Sequence, residues 1–230
     1  MRWVTLPALS IEVNELDVLQ RYGGQKKLPA HLQGRVEAFI HDLKQSAKPK
    51  GKLAIIDIVK KRMNAIRLEE GTIVEGLGVA ALLRRCEQVA AYVSTLGKGP
   101  DNLMRDYQER GRQAELDLFN VVAQLVLEDL HRKAEDFIRR LVAKEQRGIS
   151  NALTPGMCDW PIEQQSILDA LVGFESAGVH LLPSMVLIPT LTITGIVGIG
   201  PANSMGRNLA ARPACAKCDK RPNCQEPFAN

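Results

Sequence analysis

The cysteines near the end of the chain form the sharpest chemical pattern in the sequence. Cys215 and Cys218 are separated by two residues, and Cys224 follows shortly after them. Two thiolates at this spacing can bind one metal ion, and a third supplies another tetrahedral ligand. Cys158 is the candidate for the fourth ligand, and water or a group from a partner is the other option. Three alternatives stay open: a zinc ion, an iron–sulfur cluster, or a tail with free thiols.

A carboxylate and an imidazole lie one helical turn apart in the longest periodic segment. Glu128 and His131 fall within residues 113–142, whose repeating apolar positions predict a central core helix. Both sit beside the apolar face of that helix. They are either exposed boundary residues or groups at the edge of a ligand cleft.

Two glycine-containing turns could bring backbone N–H groups close to a ligand. Thr95 and Gly97 lie between a predicted strand and a helix, a junction that can hold a phosphate or carboxylate group. A plain tight turn is the alternative interpretation. In Thr154-Pro155-Gly156-Met157, the proline fixes one backbone angle and the glycine can adopt a positive φ.

Hydrophobic periodicity predicts the elements that position these residues. Helices are expected at 11–22, 29–43, 76–86, 113–142 and after Pro161, ending near Gly173, with strands at 53–59, 89–93, 185–188 and 191–199. This pattern predicts an α+β fold with a mixed, largely antiparallel sheet and packed helices. A cleft is expected between the 94–100 turn, the Glu128 helix and the 154–159 turn. The expected divisions are a helical segment (1–50), an α+β core (51–205) and a cysteine-containing tail (206–230).

Composition excludes several classes of protein. The net charge of +4 is dispersed along 230 residues and aromatic residues make up 4%, which argues against a nucleic-acid surface. The sequence has no apolar window of about 20 residues, the length that crosses a bilayer, so no membrane span is expected. The first residues do not resemble a signal peptide. We therefore expect a cytoplasmic protein.

The order of the motifs resembles the activation domain of vitamin B12-dependent methionine synthase and its free-standing relatives. That family has a proline–glycine turn, then an aspartate–tryptophan–proline helix start, a glutamine-bearing helix and a glycine-rich strand. The matching segments are Thr154-Pro155-Gly156-Met157, Asp159-Trp160-Pro161, Gln164-Gln165, residues 189–198, Ser94-Thr95-Leu96-Gly97 and Glu128-Asp129-Leu130-His131.

The resemblance implies S-adenosylmethionine as ligand and a cobalamin carried by a partner. The partner would be a corrinoid protein or methyltransferase, remethylated reductively with an electron from a donor. The protein would position the ligand, and no residue of this chain is expected to act as an acid, base or nucleophile. The implied ligand-binding residues are Glu128, Ala152, Thr154, Pro155, Gly156, Met157, Thr95 and Gly97.

The chain departs from the family pattern at several positions, among them Thr192 and Thr194, which stand where the family has serines. Ala152, Met157 and Leu191 stand where the family has arginine, tyrosine and lysine. The arginine would bind a carboxylate through two hydrogen bonds, and the tyrosine would give a sulfonium an aromatic wall. An alternative function is therefore a non-catalytic zinc or iron–sulfur module on the same fold, docking to a corrinoid or redox protein.

Overall fold

A computed structural model describes residues 1–7, 9–23, 29–32, 34–157 and 159–205. Within these residues the chain forms nine strands and six α-helices. The strands are β1 (Arg2–Leu6), β2 (Lys50–Lys61), β3 (Ala65–Leu68), β4 (Ile73–Glu75), β5 (Gln88–Thr95), β6 (Arg147–Ile149), β7 (His180–Leu181), β8 (Leu187–Ile188) and β9 (Thr192–Pro201). The helices are α1 (Glu15–Gly23), α2 (Val36–Ser46), α3 (Leu77–Leu82), α4 (Lys98–Glu109), α5 (Gln113–Ala143) and α6 (Gln165–Val172).

Seven strands form one antiparallel sheet: six lie in the order β4-β3-β2-β5-β9-β6, and the seventh, β1, pairs with β2. The long strand β2 pairs with β5 along one edge. Its other edge pairs with β1 over residues 51–55 and with β3 over residues 58–61, where the register shifts at Val59. A bulge of this kind bends the strand and increases its local twist. Strands β7 and β8 form a separate two-stranded hairpin.

Helix α5 covers one face of the central sheet. Successive side chains of a strand point to opposite faces, so alternate residues of β2, β5 and β9 contact this helix. They meet apolar side chains from the second half of α5. The buried residues of this layer are Leu6, Leu53, Ile55, Ala90, Tyr92, Ala134, Ile138, Val142, Ile149, Ala152, Val197 and Ile199.

Helices α3 and α6 cover the opposite face. This core contains Trp160 and Phe174, both almost fully buried. Helix α6 ends at Gly173, which has the left-handed φ of 70° that terminates many helices. A third apolar cluster joins α1, α2, α4 and the first half of α5 at one end of the molecule.

The α+β fold expected from the sequence is confirmed, and every strand pairing in the described part is antiparallel. The long helix and the termination at Gly173 also agree with expectation. The sequence did not predict β1, β3, β4, β6 or β7. Across the described ranges, no helix has both the length and the apolar character that crossing a membrane requires.

Gly198 illustrates how tightly the α3 side of the sheet is packed. A Cβ atom at this position would lie 2.2 Å from the Cys86 sulfur and 2.8 Å from Leu83 Cδ2. Neither contact is tolerable without movement of the neighbours, so the sheet requires a residue without a side chain here. Burial raises the pKa of the Cys86 thiol to about 11, although Lys61 lowers it, so this cysteine stays protonated at neutral pH.

We expect Gly198→Ala to lower the free energy of unfolding by about 1–3 kcal/mol, the usual cost of overpacking a core. Chemical denaturation measures the change. The same substitution in a Cys86→Ala background should cost less, because the closest clashing atom is gone. An equal cost in both backgrounds would show that the clash with sulfur is not its origin.

Candidate functional site

A line of polar groups crosses the interface between the sheet and α5. The Tyr92 hydroxyl of β5 lies 3.2 Å from His131 Nδ1, and His131 Nε2 lies 3.6 Å from Glu135 Oε1. The same Glu135 oxygen accepts a hydrogen bond of 2.9 Å from the backbone N–H of Ala152. These contacts connect the central sheet, the long helix and the segment that leads into the 154–157 turn.

Gly195 makes room for this arrangement. It lies directly opposite Tyr92 in the β5–β9 pairing. A Cβ atom at position 195 would be 2.9 Å from the Tyr92 hydroxyl oxygen and 2.8 Å from the Leu153 carbonyl oxygen. Glycine therefore allows the tyrosine ring and the Leu153 backbone to approach β9 together.

Burial and hydrogen bonding set the charges of these groups. Burial alone would raise the pKa of Glu135, but the nearby His131 imidazole and the hydrogen bond from the Ala152 N–H outweigh it, so the pKa is lowered. Burial, with the nearby charge of Glu135, raises the pKa of Tyr92 well above its usual value. At neutral pH Glu135 is ionised and Tyr92 is a neutral phenol that can donate to His131.

The 154–157 turn follows directly. Gly156 has φ of 90° and donates its N–H to the Trp160 carbonyl at 2.8 Å. The Met157 N–H bonds to the Thr154 carbonyl at 3.0 Å, and the Thr154 hydroxyl lies 3.1 Å from the Met157 sulfur. Pro155 is buried and Gly156 is exposed, so the tip of the turn is open to solvent.

Residues after the turn fasten it to α3 and β4. The Asp159 carboxylate accepts hydrogen bonds from the N–H groups of Leu77 and Gly78, at 2.7 and 2.9 Å. The Gln164 side chain accepts from Trp160 Nε1 and bonds to both the N–H and the carbonyl of Glu75, each at 2.9 Å. Buried amides satisfied in this way hold their surroundings in one arrangement.

Glu128, which the sequence resemblance implies as a ligand-binding residue, pairs with α1 in the structure. Both of its oxygens accept from the Arg21 guanidinium of α1, each at 3.0 Å. It precedes Glu135 by two helical turns, about 10 Å along the axis. On α5, Glu135 accepts the hydrogen bond from the approach to the 154–157 turn, and Glu128 lies nearer the start of the helix.

Thr95 and Gly97 lie at the far end of the same strands. The Thr95 hydroxyl contacts that of Thr192 at 2.8 Å and accepts the Gly97 N–H at 3.1 Å. A Cβ atom at Gly97 would lie 3.2 Å from the Lys48 carbonyl oxygen, so this turn packs against the end of α2. Thr192 and Ile196, the residue that pairs with Leu153, are about 13 Å apart along β9.

The cysteine hypothesis stays a prediction. Cys158, Cys215, Cys218 and Cys224 all lie outside the described residues. Elsewhere, in the part of the chain that the structure does describe, no group of three or more His, Cys, Asp or Glu side chains is placed to hold a metal ion.

Comparisons with known proteins were made on sequence and on structure. No family model matches the chain, and no curated protein matches its sequence. A crystal structure of the MetH reactivation domain bound to AdoHcy superposes with a TM-score of 0.56. The alignment covers 84% of this chain and 71% of that chain, at 12% sequence identity.

The chain has the fold of the MetH reactivation domain. At 12% identity the likeness concerns the fold alone. It confirms the part of the sequence resemblance that concerns architecture.

Sequence reasoning did not find Tyr92 or Glu135 as site residues. Glu135 follows His131 by four residues, a spacing that places both on one face of a helix, and this was the available signal. Tyr92 gave no signal, because a tyrosine within an apolar strand is usually interpreted as a core residue.

Arg139 lies one turn beyond Glu135, and its Nε is buried without a hydrogen-bond partner among the described residues.

The lowered pKa of Glu135 makes stability depend on acid pH. Its ionised form stabilises the folded state fully above the reference pKa of 4.5, and this contribution is lost as pH falls through the lower folded-state pKa. The wild-type protein should therefore lose stability below pH 4.5 more steeply than Glu135→Gln. Denaturant unfolding across the acid range measures the difference.

Asp136→Asn is the matched control, because its carboxylate is next in sequence and faces Arg139 Nε only at 3.9 Å. This variant should follow the wild-type acid profile. If Glu135→Gln also follows it, the Glu135 carboxylate does not contribute pH-dependent stability.

Proposed function

We propose that this protein binds S-adenosylmethionine beside the 154–157 turn and presents its methyl group to a corrinoid carried by a partner methyltransferase. The observation that carries the proposal is the fold likeness, over 84% of the chain, to a reactivation domain solved with AdoHcy. AdoHcy, S-adenosylhomocysteine, is what S-adenosylmethionine becomes when it gives up its methyl group. A protein that binds one is expected to bind the other.

The local geometry supports a backbone-lined ligand site at the turn. Gly156 is exposed and adopts a φ that favours glycine, so the chain can pass close to a bound molecule there. The segment on each side of the turn is fastened by hydrogen bonds, through Ala152 before it and Asp159 after it. Such preorganisation reduces the entropy lost when a ligand binds.

In the proposed reaction the chain acts by position. The methyl group leaves the sulfonium of S-adenosylmethionine, which becomes the neutral thioether of S-adenosylhomocysteine. The acceptor is a corrinoid on the partner, after a separate donor has supplied one electron. Holding the sulfonium in line with its acceptor is the contribution that a protein without an acid or base at this step can make.

The structure supports some of the ligand-binding residues predicted from the sequence better than others. Ala152, Thr154, Pro155, Gly156 and Met157 form one continuous segment at the proposed site. A ligand group that binds Glu128 would share its half-exposed carboxylate with Arg21, which already donates one hydrogen bond to each oxygen. The Thr95 and Gly97 turn is engaged with the chain itself, so we assign it a structural role.

Isothermal titration calorimetry with S-adenosylhomocysteine tests the proposal. We expect saturable binding by the wild-type protein, weakened about tenfold by Gly156→Ala, a change of about 1.4 kcal/mol. An alanine at a φ of 90° is strained, and its Cβ would lie 3.2 Å from Ile162 Cδ1. Both effects would shift the turn.

Gly111→Ala provides the matched control. Gly111 also has a positive φ, of 64°, in the turn between α4 and α5, and its added Cβ would meet nothing within 4 Å. This variant carries similar backbone strain away from the site and should bind as the wild type does. Absence of binding heat with millimolar S-adenosylhomocysteine, or equal weakening by both substitutions, would contradict the proposal.

A further inference from the structure

We propose that Glu135 is a positioning residue that holds the Ala152 backbone, and with it the 154–157 turn, in the ligand-binding arrangement. This inference rests on the proposed function. It names the side chain that sets the geometry of the proposed ligand site. Glu135 itself is not assigned a contact with ligand. It would act through the peptide N–H two residues before the turn.

The direction of the backbone hydrogen bonds explains why a side chain is needed there. Leu153 exchanges both of its backbone hydrogen bonds with Ile196 of β9, at 3.0 and 2.9 Å. In an extended segment, neighbouring residues point their N–H groups to opposite sides. The Ala152 N–H therefore points away from β9, where β-sheet pairing gives it no acceptor, and the Glu135 carboxylate takes that place.

Leaving this N–H without an acceptor would be costly. Ala152 is only 5% exposed, so water has little access to its backbone. A buried donor that loses its acceptor destabilises the local structure, and a charged acceptor is stronger than a neutral one. The segment before the turn is consequently held between two surfaces: β9 through Leu153 and α5 through Ala152.

His131 and Tyr92 in turn hold Glu135. The Glu135 side chain is 22% exposed, and His131 Nε2 lies 3.6 Å from its oxygen. The opposite ring nitrogen of His131 contacts the Tyr92 hydroxyl, which is anchored in the central strand β5. The side chains of Tyr92, His131 and Glu135 thus connect the central sheet to the Ala152 N–H beside the proposed site.

The experiment combines two readouts on the full chain. Hydrogen exchange of the Ala152 amide, followed by NMR, reports the backbone contact without any ligand. Calorimetry with S-adenosylhomocysteine reports binding. The variants are Glu135→Ala, which removes the acceptor, Glu135→Gln, which keeps an oxygen acceptor of the same size, and Asp136→Asn as control.

We expect Glu135→Ala to speed Ala152 exchange and to weaken S-adenosylhomocysteine binding, each by about tenfold. Glu135→Gln should restore a large part of both, because its carbonyl oxygen can accept the same N–H. The Asp136→Asn variant should change neither. A merely structural role would alter overall stability without recovery of ligand affinity in the glutamine variant.

Unchanged Ala152 exchange in Glu135→Ala would overturn the inference. Faster exchange with unchanged affinity would also overturn it, because the contact would then not serve binding. If the wild-type protein binds no S-adenosylhomocysteine, the proposed function fails and the link to binding fails with it. The exchange data alone then decide whether Glu135 holds the backbone.

Discussion

The absence of a side chain at position 195 determines how closely three parts of this molecule approach one another. Strand β9, the Tyr92 ring and the Leu153 backbone all converge there, and a single carbon would lie within 3 Å of the last two. Because the tyrosine side chain can pass over Gly195 of β9, its hydroxyl reaches His131 of α5. The packing of the long helix on the sheet thus places charged groups beside the segment that leads to the turn.

Several residues on which the sequence resemblance is based form hydrogen bonds that join elements of the fold. Gln165 donates to the Thr194 hydroxyl at 2.7 Å, joining α6 to β9. Gln164 joins Trp160 to the end of β4. These buried bonds hold the elements of this chain together, and the fold matches at 12% identity although Ala152 and Met157 depart from the resembled family's ligand pattern. A motif can therefore identify a fold without identifying a ligand.

Much of the architecture could be predicted from the sequence, because α5 and β9 have long, regular apolar patterns. The strands that escaped prediction are short or charged. Strand β6 has three residues and begins with Arg147, so its pairing with β9 is a tertiary effect that local sequence does not encode. Strand β1 is largely exposed and forms only because β2 offers an unpaired edge.

The site was harder to predict than the fold, since its contacts join residues far apart in the chain. The turn itself was recognisable, because proline and glycine leave a local signature. The contact of Ala152 with Glu135 and the pairing of Glu128 with Arg21 depend on how helices settle on the sheet. Helical spacing limits which residues of α5 can lie on the same face. Only the packed structure shows whether Glu128 or Glu135, two turns apart, contacts the segment before the turn.

The carboxylate of Asp159 has a consequence for motion. It joins the end of the turn region to the first residues of α3, while the neighbouring Trp160 joins β4 through Gln164. A displacement of this loop would therefore pull on α3 and on the outer strands of the sheet. The loop, the start of α3 and strand β4 therefore form one mechanically connected unit.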